Sequence, residues 1–185
     1  MLEVPSRKLL GTVLDTLQLE GPGVEIGVRF GKFSVCMLTT TKLTPYVMVD
    51  PWKHYPATVY KDSANEDQAQ QDQICINVTR KMRKAFGARA EILRMESLPA
   101  ASTFPDNHFV FVYIDANHSY EYVKVDLAAW WPKLRSGGLF AGHDYVQRPA
   151  YGVQQAVNEF RAAHNIRHMC TTHADRSPSW YWVKP

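Results

Sequence analysis

The sequence predicts an α/β fold in which helices cover both faces of a mostly parallel sheet. Short apolar segments of strand length alternate with segments of helical periodicity along most of the chain, a pattern typical of right-handed β-α-β crossovers. The segment 109–114 is apolar without a break, as a central strand covered on both faces requires. The chain has 185 residues, of which 45% are hydrophobic, and this length fits one domain. We expect an N-terminal helix within residues 1–22 and a core over residues 23–185.

The first half of the chain is predicted to hold three strands and three helices. Leu9, Leu10, Val13, Leu14 and Leu17 recur at helical spacing after a capping serine, and an Asp-Pro pair stops the second strand. The predicted elements are a helix over 9–17, a strand over 24–28, a helix over 32–42, a strand over 46–50, a polar loop over 51–65, a helix over 66–86 and a strand over 90–95.

The second half continues the alternation and closes the sheet. Ser119 can cap a helix whose apolar stripe extends as far as Leu134, and Pro132 should kink or end that helix. The predicted elements are a strand over 109–115, the helix after Ser119, a strand over 139–142, a helix over 152–164 and two strands near 167–173 and 179–184. The sequence therefore predicts a Rossmann-like, doubly wound, seven-stranded sheet that is mostly parallel and has an antiparallel C-terminal strand.

Composition and charge argue against several functional classes. The formal net charge is only +3 and the basic residues are scattered, so we expect no nucleic-acid partner. No apolar run approaches the roughly 18 residues of a membrane span, so we expect no membrane partner. The start of the chain lacks the layout of a signal peptide, and Cys36, Cys75 and Cys170 form no pairing motif. A cytoplasmic location follows as the expectation.

Polar residues follow the predicted strands, and they are the candidate site. In an open parallel sheet, ligands bind outside the carboxyl ends of the strands. The residues at these strand ends are Glu25 and Gly27, Asp50, Met95-Glu96-Ser97, Asp115 to His118 and His143-Asp144-Tyr145.

The first strand end favours a cationic ligand without phosphates. Gly27 and Gly31 are spaced G-x-x-x-G, unlike the G-x-G-x-x-G of dinucleotide sites, and bulky Arg29 and Phe30 crowd the approach of a pyrophosphate. Gly27 permits a tight turn and a close approach of ligand to backbone. The negative charge of Glu25 suits the amino group and sulfonium of S-adenosylmethionine. The alternative is a plain β-α turn with an exposed glutamate.

The second strand end is suited to a nucleoside. Asp50 lies 25 residues after Glu25, where a carboxylate can accept both hydroxyls of a ribose. An isolated aspartate before proline can equally serve turn formation. Trp52 follows closely and could cover the cofactor.

Four runs of residues resemble a known family. The runs Val24-Glu25-Ile26-Gly27-Val28-Arg29-Phe30-Gly31-Lys32-Phe33-Ser34 and Val49-Asp50-Pro51-Trp52 resemble the cofactor motifs of class I methyltransferases. Tyr113-Ile114-Asp115-Ala116-Asn117-His118-Ser119-Tyr120-Glu121, with Gly142-His143-Asp144-Tyr145 about 27 residues later, is more specific. The chain is similar, over roughly residues 20–184, to the small methyltransferase domain 24 branch related to macrocin- and cephamycin-type O-methyltransferases.

The resemblance implies roles for most of the strand-end residues. Glu25, Gly27 and Gly31 match the cofactor-binding turn, Asp50 matches the ribose ligand, and Met95-Glu96-Ser97 match the segment that borders the adenine. Asp115 matches a residue beneath the reaction centre. The implied activity is methyl transfer from S-adenosylmethionine to a small-molecule acceptor, through a hydroxyl in the related enzymes.

The chain departs from the family where the relatives bind magnesium and carry their base. The relatives hold magnesium with the aspartate matching Asp115 and an acidic pair that here reads His143-Asp144. Their base is matched by Asn117, which cannot accept a proton.

The catalytic candidates are therefore His143, Asp115 and His118, and the candidate metal ligands are Asp115, His143 and Asp144. One histidine and two carboxylates suit manganese, iron or zinc as readily as magnesium. Alternatively, His118 caps the following helix and His143 bonds backbone near the rim.

Two other functions stay open at this point. A nicotinamide-dependent oxidoreductase is disfavoured by the G-x-x-x-G spacing and by the lack of a Tyr-x-x-x-Lys pair. A non-catalytic, methyltransferase-like binding module is kept open by Asn117. A homodimer is a further expectation, since so small an enzyme can use a second subunit to wall its acceptor pocket.

Overall fold

The fold is a seven-stranded sheet with helices on both faces. The computed structural model describes residues 2–60, 64–149 and 151–185. The strands are β1 (Gly23–Ile26), β2 (Tyr46–Val49), β3 (Ala90–Leu93), β4 (Phe109–Ile114), β5 (Leu134–Gly142), β6 (Cys170–Thr171) and β7 (Trp180–Val183). The helices are α1 (Leu10–Thr16), α2 (Lys32–Thr40), α3 (Gln68–Phe86), α4 (Ser97–Ser102), α5 (Tyr120–Trp130) and α6 (Val153–Ala163).

The strand order places the reversal of the sheet between β1 and β4. The order is β3-β2-β1-β4-β5-β7-β6, with parallel pairing from β3 to β5 and antiparallel pairing of β7 with both β5 and β6. The predicted doubly wound, mostly parallel sheet is confirmed. Because the order reverses at β1 and β4, the loops after these strands diverge and leave a crevice at their carboxyl ends.

Alternate residues of the central strands build two cores. Met48 and Tyr113 face the core that contains α1, α2 and α3, whereas Val49 and Ile114 face the core that contains α4, α5 and α6. Every residue of β4 is buried, as its unbroken apolar run predicts. This covering of both faces fixes the strand ends, and with them the polar residues that follow.

Two local assignments from the sequence are wrong. Leu134 belongs to β5, where it pairs with Phe109, because α5 ends at Trp130 just before Pro132. The short helix α4 lies directly after β3 and was not predicted, since its six residues include a proline and span too few turns to show periodicity. The remaining elements match the prediction to within a few residues.

The N-terminal segment is tied to the C-terminal hairpin. The Val4 amide donates to the Tyr181 hydroxyl (3.0 Å), and the amides of His173 and Ala174 both donate to the Pro5 carbonyl. A 3-10 helix (Arg7–Leu9) follows and leads into α1. Among the described residues, no helix combines the length and apolar character that a membrane span requires.

Candidate active site

A cavity of about 910 Å³ lies over the carboxyl ends of β1, β2 and β4. Its wall brings together most of the residues that the sequence singled out. Those that line it are Glu25, Gly27, Asp50, Met95, Glu96, Ser97, Asp115, His118 and Asp144. Of the remaining candidates, Gly31, Trp52 and His143 do not belong to its described lining.

Asp50 holds the turn after β1 as well as facing the cavity. Its Oδ2 accepts from the amides of Val28 (2.9 Å) and Arg29 (2.8 Å), and its Oδ1 accepts from the amide of Trp52 (2.7 Å). Burial raises the pKa of Asp50, and these backbone donors oppose that effect. Oδ2 already accepts two hydrogen bonds and Oδ1 only one, so Oδ1 can also receive a hydroxyl group of a ligand.

Glu25 is buried at the base of the cavity, not exposed as the plain-turn alternative required. Its Oε2 accepts from the Ser34 hydroxyl (2.6 Å) and the Tyr46 hydroxyl (3.1 Å). Burial raises the pKa of Glu25 to about 8, with a further increase from the charge of Asp115. A cation brought into the cavity would favour the ionised form of this carboxyl.

The two glycines of the first turn serve packing as much as ligand approach. Gly27 has φ +88°, and a Cβ there would lie 2.0 Å from the Asp115 carbonyl oxygen, so the glycine lets the loops after β1 and β4 approach each other. Gly31 has φ +65°, and a Cβ there would lie 2.5 Å from Met82 Cε on α3. The sequence could not distinguish these contacts from contacts with a ligand.

Trp52 is a core residue. Its side chain is 1% exposed, and its Nε1 donates to the Arg29 carbonyl (3.0 Å). The tryptophan therefore braces the first turn from beneath, and the geometry does not bring it over the cavity as the sequence suggested.

The far side of the cavity, after β3, is polar at its base and apolar at its rim. The Ser97 hydroxyl donates to Asp126, and Trp130 Nε1 donates to Ser97 (2.9 Å). Burial raises the pKa of Asp126 to about 6. Leu98 and Val125 complete the wall with exposed apolar side chains. A flat, partly polar ring fits this combination.

Asp115, His118 and Asp144 meet at the β4/β5 end of the cavity. His118 Nε2 lies 3.0 Å from Asp144 Oδ2 and 3.9 Å from Asp115 Oδ1. Burial alone would lower the pKa of His118, but hydrogen bonds to Asp115 and Asp144 raise it to about 10. Burial alone would raise the pKa of Asp144, but the hydrogen bond from His118 and nearby positive charge lower it to about 2. A protonated His118 thus bridges two carboxylates.

The same three residues could hold a metal ion. Among the described residues, one ligand atom from each of the three lies within 4.8 Å of the others. The sequence had placed His143 in this set, but the geometry offers His118 instead. The Tyr151 ring stacks on His118 with centroids 4.6 Å apart and continues the wall toward β5.

His143 and Asn117 face other partners. His143 Nδ1 lies 3.0 Å from the Ser179 hydroxyl, and burial lowers the pKa of this histidine. The Asn117 side-chain oxygen accepts from the Ser119 amide (2.9 Å), which stabilises the start of α5. The asparagine at the base position therefore supports the start of a helix while also lining the cavity. Of the two histidines, His118 belongs to the described lining and His143 does not.

Arg7 is the functional candidate that the sequence did not reveal. It lines the cavity from the N-terminal segment, and its Nη1 donates to Asp115 Oδ2 (2.8 Å). Nothing in the run Ser6-Arg7-Lys8 signals this, because the placement depends on contacts with the C-terminal hairpin, more than 160 residues away in sequence.

The fold and the site define a class. A sheet of this order, with its last strands antiparallel and an acidic, partly apolar cavity over β1, β2 and β4, is that of a class I, S-adenosylmethionine-dependent methyltransferase. The family model described as "Methyltransferase domain" matches residues 24–145. This match covers well over half of the chain, and the chain belongs to that methyltransferase family.

Solved structures share the fold at low sequence identity. The O-methyltransferase NovP is 18% identical with a TM-score of 0.69, over 96% of this chain and 77% of that one. The O-methyltransferase from Bacillus cereus in complex with SAH is 12% identical with a TM-score of 0.65, over 96% and 80%. The O-methyltransferase TomG from Streptomyces achromogenes, in complex with SAM, is 13% identical with a TM-score of 0.62, over 100% and 82%. No curated protein sequence matches this chain.

The residues present fit S-adenosylmethionine. The cofactor carries two positive groups, a ribose with two hydroxyls and a flat adenine. The cavity offers carboxylates at Glu25, Asp50 and Asp115 and a partly apolar wall beside Ser97. The turn after β1 presents no row of free amides to a pyrophosphate, since Asp50 takes the amides of Val28 and Arg29. These features favour the sulfonium cofactor over a nicotinamide dinucleotide.

Proposed function

We propose that this methyltransferase methylates a hydroxyl oxygen of a small molecule, assisted by a divalent cation. One observation carries the proposal. A single cavity contains Glu25 and Asp50 on the cofactor side and His118 and Asp144 on the other side, with Asp115, which follows β4, between them. The cluster of Asp115, His118 and Asp144 can orient and polarise a hydroxyl group next to the reacting methyl. The O-methyltransferases that share the fold support the choice of oxygen.

On the cofactor side, each carboxylate has a partner of matching chemistry. Asp50 would accept the ribose hydroxyls, Glu25 and Asp115 would face the amino group and the sulfonium, and residues 95–97 would border the adenine. The bound cofactor supplies an electrophilic methyl group, and a protein accelerates its transfer chiefly by alignment. The cores on both faces of the sheet fix the strand ends, and the fixed strand ends would align the cofactor with the acceptor.

On the acceptor side, Asp115, His118 and Asp144 would hold the cation, which would replace the proton that His118 carries in its absence, because a histidine ligand must be neutral. The side chains of Asp115 and Asp144 are only 19% and 11% exposed, so a charge between them is shielded from water. A bound divalent cation acts as a Lewis acid and lowers the pKa of a hydroxyl group. Because Asn117 cannot take a proton, we infer that hydroxyl activation depends on charge at this cluster rather than on a base at that position.

The test is methyl transfer from radiolabelled S-adenosylmethionine to a panel of phenols, catechols and sugars, with mass spectrometry to locate the new methyl group. We expect an O-methylated product whose formation stops with a chelator and returns with magnesium or manganese. Asp144→Asn should lower kcat/KM at least about 100-fold, because Lewis-acid stabilisation is worth several kcal/mol. Asp106→Asn removes a carboxylate from an exposed ion pair with Lys133 and serves as the control.

The outcomes separate the parts of the proposal. A product methylated on nitrogen, with no hydroxyl acceptor turned over, would refute the choice of oxygen. Full activity in the presence of chelator would refute the cation but leave methyl transfer to oxygen intact. Equal activity of Asp144→Asn and wild type would remove the cluster from the reaction.

A further inference from the structure

Arg7 reaches the cofactor cavity from outside the sheet. Its side chain is 28% exposed and contacts Tyr113 and Asp115, at the end of β4, and Phe33 on α2. Nη1 donates to Asp115 Oδ2 (2.8 Å) and to the Tyr113 hydroxyl (3.4 Å), and the guanidinium lies 5.5 Å from the centroid of the Phe33 ring. The cation is therefore placed where β1, β4 and the start of α2 meet.

Dedicated contacts hold the backbone of Arg7 in this place. The Arg7 amide donates to Asp175 Oδ2 (2.7 Å), and the Ser6 hydroxyl donates to Asp175 Oδ1 (2.7 Å). The Thr172 hydroxyl donates to the same carboxylate (2.9 Å) and fixes it to the hairpin. Three charge-assisted hydrogen bonds on one carboxylate make this a built attachment rather than a loose terminus.

The guanidinium has donors to spare. Among the described residues, its side-chain hydrogen bonds all use Nη1. The Nε and Nη2 hydrogens are therefore available on one edge, in the fork geometry that matches a carboxylate. Arg7 also lines the cavity, so these donors can serve a ligand in addition to the ion pair with Asp115.

The other cations of the cavity wall are less suited to a buried anion. Arg29 pairs with Glu66 and Lys53 pairs with Glu96. Lys32 is exposed and lies 6.0 Å from the centroid of the Phe30 ring. Of the arginines and lysines in the described lining, Arg7 is the one that pairs with Asp115, close to the place where the amino acid part of the cofactor would meet Glu25.

We propose that Arg7 binds the carboxylate of the methionine part of S-adenosylmethionine. This inference rests on the proposed function, since it assumes that the cofactor lies with its amino acid end over β1 and β4. That end carries a carboxylate as well as an amino group, and Glu25 and Asp115 can serve only the positive charges. Arg7 supplies the missing counterpart, so the N-terminal segment completes the cofactor site.

The test compares two ligands that differ by this carboxylate alone. We would titrate wild type, Arg7→Ala, Arg7→Lys and Lys8→Ala with S-adenosylmethionine and with decarboxylated S-adenosylmethionine. Lys8 is exposed, carries the same charge and lies in the same 3-10 helix, so its variant controls for net charge and for local helix changes. Retained binding of the decarboxylated ligand shows that a variant is folded.

We expect wild type to prefer S-adenosylmethionine at least about 10-fold over its decarboxylated form. Arg7→Ala should weaken binding of S-adenosylmethionine about 10- to 100-fold, the range for a lost charged hydrogen bond. Binding of the decarboxylated ligand should stay the same or tighten, because Asp115 is freed. Arg7→Lys should recover part of the preference, and Lys8→Ala should keep all of it.

Other results would overturn the inference. If Arg7→Ala keeps the preference for S-adenosylmethionine, or lowers the affinity for both ligands equally, Arg7 does not bind the carboxylate. If its affinity for S-adenosylmethionine is unchanged while turnover falls, Arg7 acts on the acceptor instead. If wild type binds neither ligand, the proposed function fails together with this inference. If wild type binds both ligands with equal affinity, only the proposed role of Arg7 is refuted.

Discussion

Glu25 shows how one buried carboxyl links the stability of this protein to pH. Its side chain is 1% exposed, and burial raises its pKa to about 8, against 4.5 for an ordinary glutamate. Between these values the folded state keeps a proton that the unfolded state has lost. The free energy of unfolding therefore falls as pH rises from about 4.5 to about 8, by at most about 1.4 kcal/mol per pH unit from this group.

Glu25→Gln should remove that loss of stability. The neutral amide carries no charge to desolvate. The free energy of unfolding of the variant, minus that of wild type, should therefore be larger at pH 8.5 than at pH 5.5. Urea unfolding at the two pH values measures the gain. Glu159→Gln is the control: that side chain is exposed, and hydrogen bonds from Tyr120 and Gln155 lower its pKa, so its difference from wild type should stay constant over this range. A constant difference for Glu25→Gln as well would show that Glu25 does not keep its proton in the folded state.

Single residues also mark what could be predicted at the site. The polar residues after β1, β2, β3 and β4 were identified because apolar strands end there, and the cavity includes them. Trp52 was misjudged, since a sequence does not show whether an aromatic ring beside a strand end turns toward ligand or core. The sequence names His143 and not His118 as the third metal ligand. In the structure Asp144 has a left-handed backbone, at φ +53°, and its carboxylate lies 3.0 Å from His118, a placement that no sequence pattern shows.

At the scale of elements, the segment before β1 packs against the C-terminal hairpin and also contributes Arg7 to the cavity wall. Residues 4–7 bond to the hairpin formed by β6, β7 and their connection, and this contact points Arg7 into the cavity. The strands and long helices could be predicted because each carries its own periodicity. The docking of the N-terminal segment could not, because it depends on pairs such as Ser6 and Asp175 that no local pattern connects.

Asp175→Ala should release this segment without touching the cavity. The variant loses the acceptor for Ser6, Arg7 and Thr172, and the lost bonds favour opening of the 3-10 helix by about 10-fold or more. Trypsin should then cut after Arg7 and Lys8 at least about 10-fold faster, and affinity for S-adenosylmethionine should fall in parallel. Asp106→Ala, which breaks an exposed ion pair elsewhere, should leave both unchanged. Faster cleavage with unaltered affinity would separate the segment from cofactor binding.

At the scale of the whole molecule, the sheet order gathers residues from distant parts of the chain at one edge. Parallel pairing of β1 with both β2 and β4 aligns Ile26 with Val49 and Ile114, so the residues that follow lie side by side. Asp50 accepts hydrogen bonds from the backbone of Val28 and Arg29 and so joins two loops beside the cavity. Under our proposal, the stability of the site and its affinity for the cofactor depend on this same carboxylate.

This double role predicts how cofactor binding and thermal stability are coupled. S-adenosylhomocysteine at 100 times its Kd should stabilise wild type by about 2.7 kcal/mol, or about 5–11 °C in Tm for a chain of this size. Asp50→Asn should lower the Tm of the free protein, because its NH2 cannot accept from the amide of Trp52 or, in the flipped orientation, from those of Val28 and Arg29. A buried donor left unpaired costs about 1–3 kcal/mol.

At the same ligand concentration the shift in Asp50→Asn should also shrink to a small fraction, since the amide lacks one acceptor oxygen and also the negative charge that strengthens a hydrogen bond from the ribose. Differential scanning fluorimetry with and without ligand gives both quantities, and Asp106→Asn should retain the full shift. A lower Tm with an undiminished shift would mean that Asp50 supports the turn after β1 and takes no part in holding the ribose. An unchanged Tm with a reduced shift would assign Asp50 to the ribose alone.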